Sequence, residues 1–234
     1  MGNIRRSIMT LTAQSDPITF DETVEVHYPT TVLERQHHGC GELSTALFNL
    51  LQNLADTHRE DRRENAIYSG RISTQGGYQT AGHRNFLERA DDSVVTLRER
   101  IILPAVTHYL TQVFGPAAAA LKPWLMGWGN FLTAGDWQAP HMHPTPGNLA
   151  GGVYYVRLPE GRDPPQGWIE FLNPHPVSVH HGFTLTRRIE PLEGKLLLFP
   201  PYYIHYVHPF QAPGERAIVA FDVLRERPNL NLTF

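Results

Sequence analysis

Two stretches of this chain carry most of the residues that could do chemistry. "PHMHPTPGNL" sets His141 and His143 two residues apart, and "FPPYYIHYVHP" supplies His205 and His208. Residues two apart on a strand point to one face, so His141 and His143 can project together where the backbone is extended. Pro144 favours that geometry directly for His143. His205 would join them from a second strand. Three ligands from two strands bind one face of an octahedral metal and leave the other face open. His208, three residues beyond His205, would turn to the opposite side of its strand. It is expected at the surface or behind the site rather than on a metal.

In a chain with 13 histidines, an H-x-H pair is weak by itself. A second feature adds weight. Arg216 begins the run "RAIVAFDVLRE", with apolar residues close on both sides. A buried guanidinium is costly without an anion, and its planar fork suits a carboxylate held through two bonds. Arg216 should therefore have an anionic partner, from either the protein or a ligand, and the histidines form a candidate metal site.

These residues need a scaffold, and 234 residues are enough to bury a core without disulfide or structural zinc. The single cysteine, Cys40, rules out an internal disulfide framework and fits a reducing compartment. A net charge of -3, with only scattered basic pairs, gives no general pull toward nucleic acid or anionic membrane. No apolar run approaches a membrane span. "MGNIRRSIMTL" lacks the long apolar stretch of a signal peptide, and Arg6 breaks the myristoylation pattern. A cytoplasmic protein is expected, with no nucleic-acid or membrane partner, and a homodimer is left open.

Along the chain, residues 1–17 read as a loose leader. "ITFDETVEVHYPTTVLE" reads as one or two strands interrupted by Pro29. Leu43, Leu47, Leu50, Leu51 and Leu54 recur at helical spacing and predict a helix from Gly41 to Thr57. "HREDRRENAIYSGR" is a polar loop, and "STQGGYQTAGH" is expected to be a turn. A second helix is predicted over about 85–114, kinked or restarted at Pro104, where the bond to the Arg100 carbonyl is lost. From Trp124 onward, short strand-like runs alternate with Gly/Pro turns, which suggests an antiparallel barrel or sandwich. The expected whole is one α+β domain over residues 1–234. Residues 18–123 would supply helical support and the first strands, and 124–224 the barrel core with the metal site.

The order "HMHP", "GGVYYV", "LFPPYYIHYVHP", "ERAIVAFD" resembles the iron(II)/2-oxoglutarate-dependent oxygenases. The likeness is to their prolyl-hydroxylase-like branch, and within it to small bacterial oxygenases with these motifs. It covers roughly residues 124–224 and matches the first hundred residues more loosely, mainly through "STQGGYQT". It implies a double-stranded β-helix, a jelly-roll barrel like that of cupins. It further implies Fe(II) held by His141 and His205, and 2-oxoglutarate as cosubstrate held by Arg216, with Tyr155 helping. Activity would consume dioxygen, release succinate and CO2, and hydroxylate or otherwise oxidise a C–H bond of a small molecule such as an amino acid or metabolite.

His143 departs from that pattern, since the family usually places Asp or Glu there. It is expected to be a ligand, which would leave the centre one positive charge higher. Three other outcomes stay open: Asp136, Glu170 or Asp222 could approach the metal from elsewhere, His143 could swing away and leave an open site, or activity could have been lost. Trp128, Asn130, Trp137 and Gln138 lie near the first ligands and could line a substrate pocket. "STQGGYQTAGHR" and "NPHPVSVHHGFTLTRR" are candidate lids, and Arg187 and Arg188 could meet an acidic substrate group. The alternative is a cupin-like metal-dependent dioxygenase or isomerase that uses no 2-oxoglutarate. Three histidines suit it, whereas Arg216 argues against it.

Overall fold

Lys195–Phe199 is buried at every position, which marks a strand covered on both faces rather than one with a wet side. The same holds for Arg216–Leu224. In the computed structural model these are β11 and β13, and they lie within the larger of two antiparallel sheets. The structure describes residues 30–57, 73–80 and 84–227. It also gives the backbone of a short antiparallel pair, β1 (Ile4–Arg5) and β2 (Thr23–Val24), within a separate unit, Met1–Thr30. Most of the predicted leader, the loop "HREDRRENAIYSGR" and most of the strand region before Pro29 fall outside the described residues.

From Thr31 onward the chain forms one unit. Its strands are β3 (Leu33–Gln36), β4 (Thr74–Gln75), β5 (Tyr78–Gln79), β6 (Trp124–Leu132), β7 (Trp137–His141) and β8 (Asn148–Arg157). Then come β9 (Ile169–Leu172), β10 (Thr186–Ile189), β11, β12 (His205–Val207) and β13. The larger sheet has the order β3-β11-β8-β13-β6-β5, and the smaller β10-β9-β12-β7-β4. Helices α1 (Gly41–Thr57), α2 (Asp92–Thr96) and α3 (Leu103–Phe114) supply one apolar layer against the larger sheet. A second core fills the space between the two sheets. The architecture is the expected α+β fold of double-stranded β-helix type.

Alternation along the strands assigns each side chain to one of these cores. On β13, Ala217, Val219, Phe221 and Val223 face the helices, while Ile218 and Ala220 face the smaller sheet. On β6, Gly127 and Gly129 face the helices, and a Cβ there would come within 2.4 Å of Leu87 and 2.1 Å of Leu51. Their missing side chains let α1 and the segment before α2 lie directly on the sheet.

Three expectations change. "STQGGYQT" is more than a turn: β4 pairs with β7 in the smaller sheet and β5 with β6 in the larger. Gly76 and Gly77, at φ of 77° and 57°, make the corner that lets one segment edge both sheets. The helix before Pro104 is not simply kinked. Leu97–Ile102 widens into a π-helical turn between α2 and α3, which absorbs the bond that Pro104 cannot make. The barrel is also not confined to 124–224, because β3, β4 and β5 supply edges of both sheets.

Candidate metal centre and anion site

His141 ends β7 and His205 opens β12, and the register places the two directly opposite each other. His143 lies just beyond β7, where its backbone N–H donates to the Pro201 carbonyl. The ring centroids are 4.2 Å apart for His141 and His205, 5.2 Å for His143 and His205, and 5.5 Å for His141 and His143. One nitrogen from each ring lies within 4.8 Å of the others, so the three can hold a metal ion.

The opposite edges of the rings are already occupied. His141 Nδ1 faces the Ala139 carbonyl at 2.7 Å, and His205 Nδ1 faces the Tyr203 carbonyl at 2.8 Å. His143 Nδ1 faces the Asp222 carboxylate at 2.5 Å. An acceptor beside Nδ1 places the proton there and leaves the Nε2 lone pair for a metal. His143 Nε2 is buried and has no partner among the described residues. Burial, with His143 adjacent, pulls His141 down to about 4, and burial with both neighbouring imidazoles pulls His205 well below its ordinary value. Neutral imidazoles are what a metal requires.

The neighbouring residues hold these rings in place. Trp128 stacks on His143 with centroids 6.0 Å apart and planes 24° apart. Phe199 meets His205 edge-on at 4.7 Å. Gly151 faces the same space. A Cβ there would meet Phe199 at 2.7 Å and the His143 ring at 3.4 Å, so the first glycine of the motif "GGVYYV" keeps room for the imidazole.

Arg216 and Tyr155 line the same cavity as the three histidines. Arg216 is 1% exposed, and its Nε and Nη1 have no hydrogen-bond partner among the described residues. The Tyr155 hydroxyl is also buried without a partner among them. The guanidinium carbon sits 5.6 Å from the Tyr155 ring centre. Burial pushes the Tyr155 phenol up to about 12, with Arg216 pulling the other way, and burial lowers Arg216 itself. A buried, unpaired cation of this kind is unfavourable unless an anion joins it.

Of the other candidate substrate residues, Trp128 and Gln138 line the cavity. Asn130 is fully buried on the same side of β6 as Trp128, with both amide atoms unpartnered among the described residues, but it is not a cavity-lining side chain. Trp137 is 37% exposed and alternates away from Gln138, so it does not belong in the pocket. The three carboxylates considered near the metal also separate. Asp136 accepts from Thr133 N and Oγ1 and closes a turn. Glu170 turns to the outer face of the smaller sheet, paired with Arg188 at 2.8 Å and His208 at 2.5 Å. Asp222 alone reaches the histidine cluster, through His143. His208 is therefore on the outer face, as its spacing from His205 predicts.

Of the candidate lids, residues 73–80 are edge strands rather than a loop, whereas 174–185 form an irregular segment around a 3-10 turn at Pro176–His181. Arg187 pairs in register with Phe171, which pairs with His205, so Arg187 shares the inner face of the sheet with the metal histidines.

Comparison with known proteins agrees with this geometry. Residues 126–222 match the model of a family described as "Putative 2OG-Fe(II) oxygenase", a stretch that contains all three histidines, Arg216 and Asp222. Among solved structures, a Pseudomonas putida prolyl-4-hydroxylase aligns with 84% of this chain and 94% of its own at 16% identity and a TM-score of 0.53. A Trichoplax adhaerens prolyl hydroxylase, solved with a hypoxia inducible factor peptide fragment, aligns over 83% of both chains at 13% identity and a TM-score of 0.50. An oxidoreductase of the 2OG-Fe(II) oxygenase family from Burkholderia pseudomallei aligns with 58% of this chain and 57% of its own, at 14% identity and a TM-score of 0.43. The chain thus spans little more than half the length of that last protein. No curated protein matches the sequence. No described helix is long and apolar enough to cross a membrane.

Proposed function

We infer that this chain is an Fe(II)/2-oxoglutarate-dependent oxygenase, and we propose that it oxidises an unactivated C–H bond of a small molecule such as an amino acid or metabolite. One observation carries the reading. A cluster of three inward-facing imidazoles and a buried guanidinium without an anion line the same cavity between the sheets. The two donor sets match the two parts of the cofactor pair: imidazoles for a divalent metal, and a forked cation for a dicarboxylate. When bound, Fe(II) and 2-oxoglutarate together supply activation of dioxygen, with the keto acid decarboxylated to succinate and CO2 and one oxygen atom delivered to the substrate.

The chain's own residues provide the setting for that chemistry. His141, His143 and His205 would hold the metal through Nε2, since an acceptor fixes each Nδ1 proton. Arg216 would take the distal carboxylate of the cosubstrate, and the Tyr155 hydroxyl would donate beside it. Either bond would satisfy a group now buried without a partner, which favours binding more than a new surface contact would. Trp128, Phe199 and Val153 form apolar walls that exclude water from the reacting centre. Arg187, on the metal side of the smaller sheet, is suited to an acidic group on the substrate. The lone half-buried Cys40 is in keeping with a cytoplasmic location.

The test is turnover of 2-oxoglutarate. Succinate should form in the presence of dioxygen only when both Fe(II) and 2-oxoglutarate are supplied, and added small amino acids should be screened for those that accelerate it. Oxidation of such compounds without 2-oxoglutarate would favour the cupin-like reading instead.

A further inference from the structure

We propose that Asp222 completes the metal centre from behind His143, supplying through that imidazole the negative charge that a directly ligating carboxylate would bring. The proposal rests on the oxygenase reading above. The three histidines differ in one respect. His141 and His205 give Nδ1 to backbone carbonyls, which are neutral, whereas His143 alone gives it to a carboxylate, at 2.5 Å. The anion therefore stands behind the one ligand that occupies the place where a carboxylate is expected.

The surroundings hold this pair together. Asp222 is 4% exposed and His143 is 7% exposed. Among the described residues Asp222 forms no ion pair with any Lys or Arg, and the ionisable group it contacts is the His143 imidazole. Asp222 lies opposite Gly151 in the β8–β13 register, and that glycine is the position where a Cβ would crowd the His143 ring. Trp128 stacks on the same ring and fixes its plane. Glycine, tryptophan and carboxylate together hold His143 with its Nδ1 proton on Asp222 and its Nε2 directed at the other two histidines.

Three neutral imidazoles would leave a divalent ion at two positive charges. With Asp222 counted, the centre returns to one, the value that two histidines and one carboxylate would give. A carboxylate on the far nitrogen also makes an imidazole a stronger donor and fixes its tautomer, and loss of such a partner typically weakens metal binding by about 10–100-fold. Asp222 is thus a positioning and charge-setting residue that does not touch the reacting atoms.

Anaerobic titration of the full chain with Co(II), followed by its visible d–d absorption, tests this without turnover. Asp222→Asn preserves size and an acceptor toward Nδ1, so it removes charge with little change of shape. It should weaken Co(II) binding by about tenfold or more and shift the absorption bands, and Asp222→Ala should weaken it at least as much. In a His143→Asp background, where the charge moves onto the ligand itself, Asp222→Asn should cause no further loss. A role confined to packing would not show that reversal. Unchanged Co(II) affinity and spectrum in Asp222→Asn, with normal binding by the unmodified chain, would overturn this inference alone. An equal loss in the His143→Asp background would also overturn it. Failure of the unmodified chain to bind Co(II) or Fe(II) would overturn the oxygenase reading as well.

Discussion

On the outer face of the smaller sheet, Glu170 is 2% exposed and bonded to Arg188 and His208, so its charge is paired. On the inner side of the molecule, His143 Nε2, the Tyr155 hydroxyl and two nitrogens of Arg216 are buried with no partner among the described residues. Both regions contain acid, base and imidazole. The outer group is complete as folded, whereas the inner group lacks a cation at one end and an anion at the other. Buried polar groups are almost always satisfied, so orphans gathered around one cavity mark the place where a ligand completes the structure.

The contrast can be broken most severely at the histidines. Changing His205 to Ala should abolish detectable Fe(II) binding, because it removes one of three donors and leaves a void at a position 4% exposed. Isothermal titration under anaerobic conditions reads this directly. Retained tight binding would place the metal elsewhere.

Next comes Arg216, for which the two regions predict opposite consequences. Arg216→Met should weaken 2-oxoglutarate binding by about 100-fold or more, as expected for loss of a buried charge partner worth ~3 kcal/mol, and leave Fe(II) binding largely intact. The same change should raise the thermal midpoint of the ligand-free protein, since it removes an unpaired buried cation. In the outer network, Glu170→Gln should lower the thermal midpoint by a few degrees and leave both affinities unchanged.

Acid should separate the regions without mutation. His141 binds its proton near pH 4 when folded and near 6.5 when unfolded, so the unfolded chain takes up more protons between those values. The inner site's contribution to ligand-free stability is therefore full above about pH 6.5 and is lost as pH falls toward 4. Burial raises Glu170, but bonds from Arg188, Thr186, His208 and Tyr206 outweigh it and pull its carboxyl down to about 2. Its contribution is present above the unfolded value of 4.5 and is lost as pH falls through 2. Thermal midpoints recorded from pH 7 to 2 should fall first through the His141 window. That first fall should move to lower pH when Fe(II) is bound.

The smallest effect is expected at Trp137. Its exposed ring lies off the cavity, so Trp137→Ala should change 2-oxoglutarate turnover by less than about twofold.

What the sequence alone disclosed follows the same division between local and distant causes. That His141, His143, His205 and Arg216 would lie together was legible because strand alternation and the cost of a buried charge are local rules. The helix Gly41–Thr57 was legible from leucine spacing, and its predicted bounds match the structure. The strands Thr74–Gln75 and Tyr78–Gln79 were hidden, because two residues carry no periodicity and their pairing partners lie more than fifty positions away. Trp137 was misplaced because proximity in sequence to His141 says nothing of which face a residue takes. Asp222 did carry a readable signal: it is an acid in an apolar strand, at an even spacing from Arg216, and so needs a buried partner on the same face. That its partner is His143 depends on how the end of β7 in the smaller sheet faces β13 in the larger one, which the sequence does not print.

The central claim, that the orphaned groups of the inner face await a metal and a dicarboxylate together, is tested most directly by visible absorption under anaerobic conditions. The purified chain loaded with Fe(II) and titrated with 2-oxoglutarate should develop a weak metal-to-ligand charge-transfer band that saturates at one equivalent of 2-oxoglutarate per iron. Arg216→Met should require much more 2-oxoglutarate to develop the same band. Tight Fe(II) binding with no band and no 2-oxoglutarate-dependent rise in thermal midpoint would contradict the account.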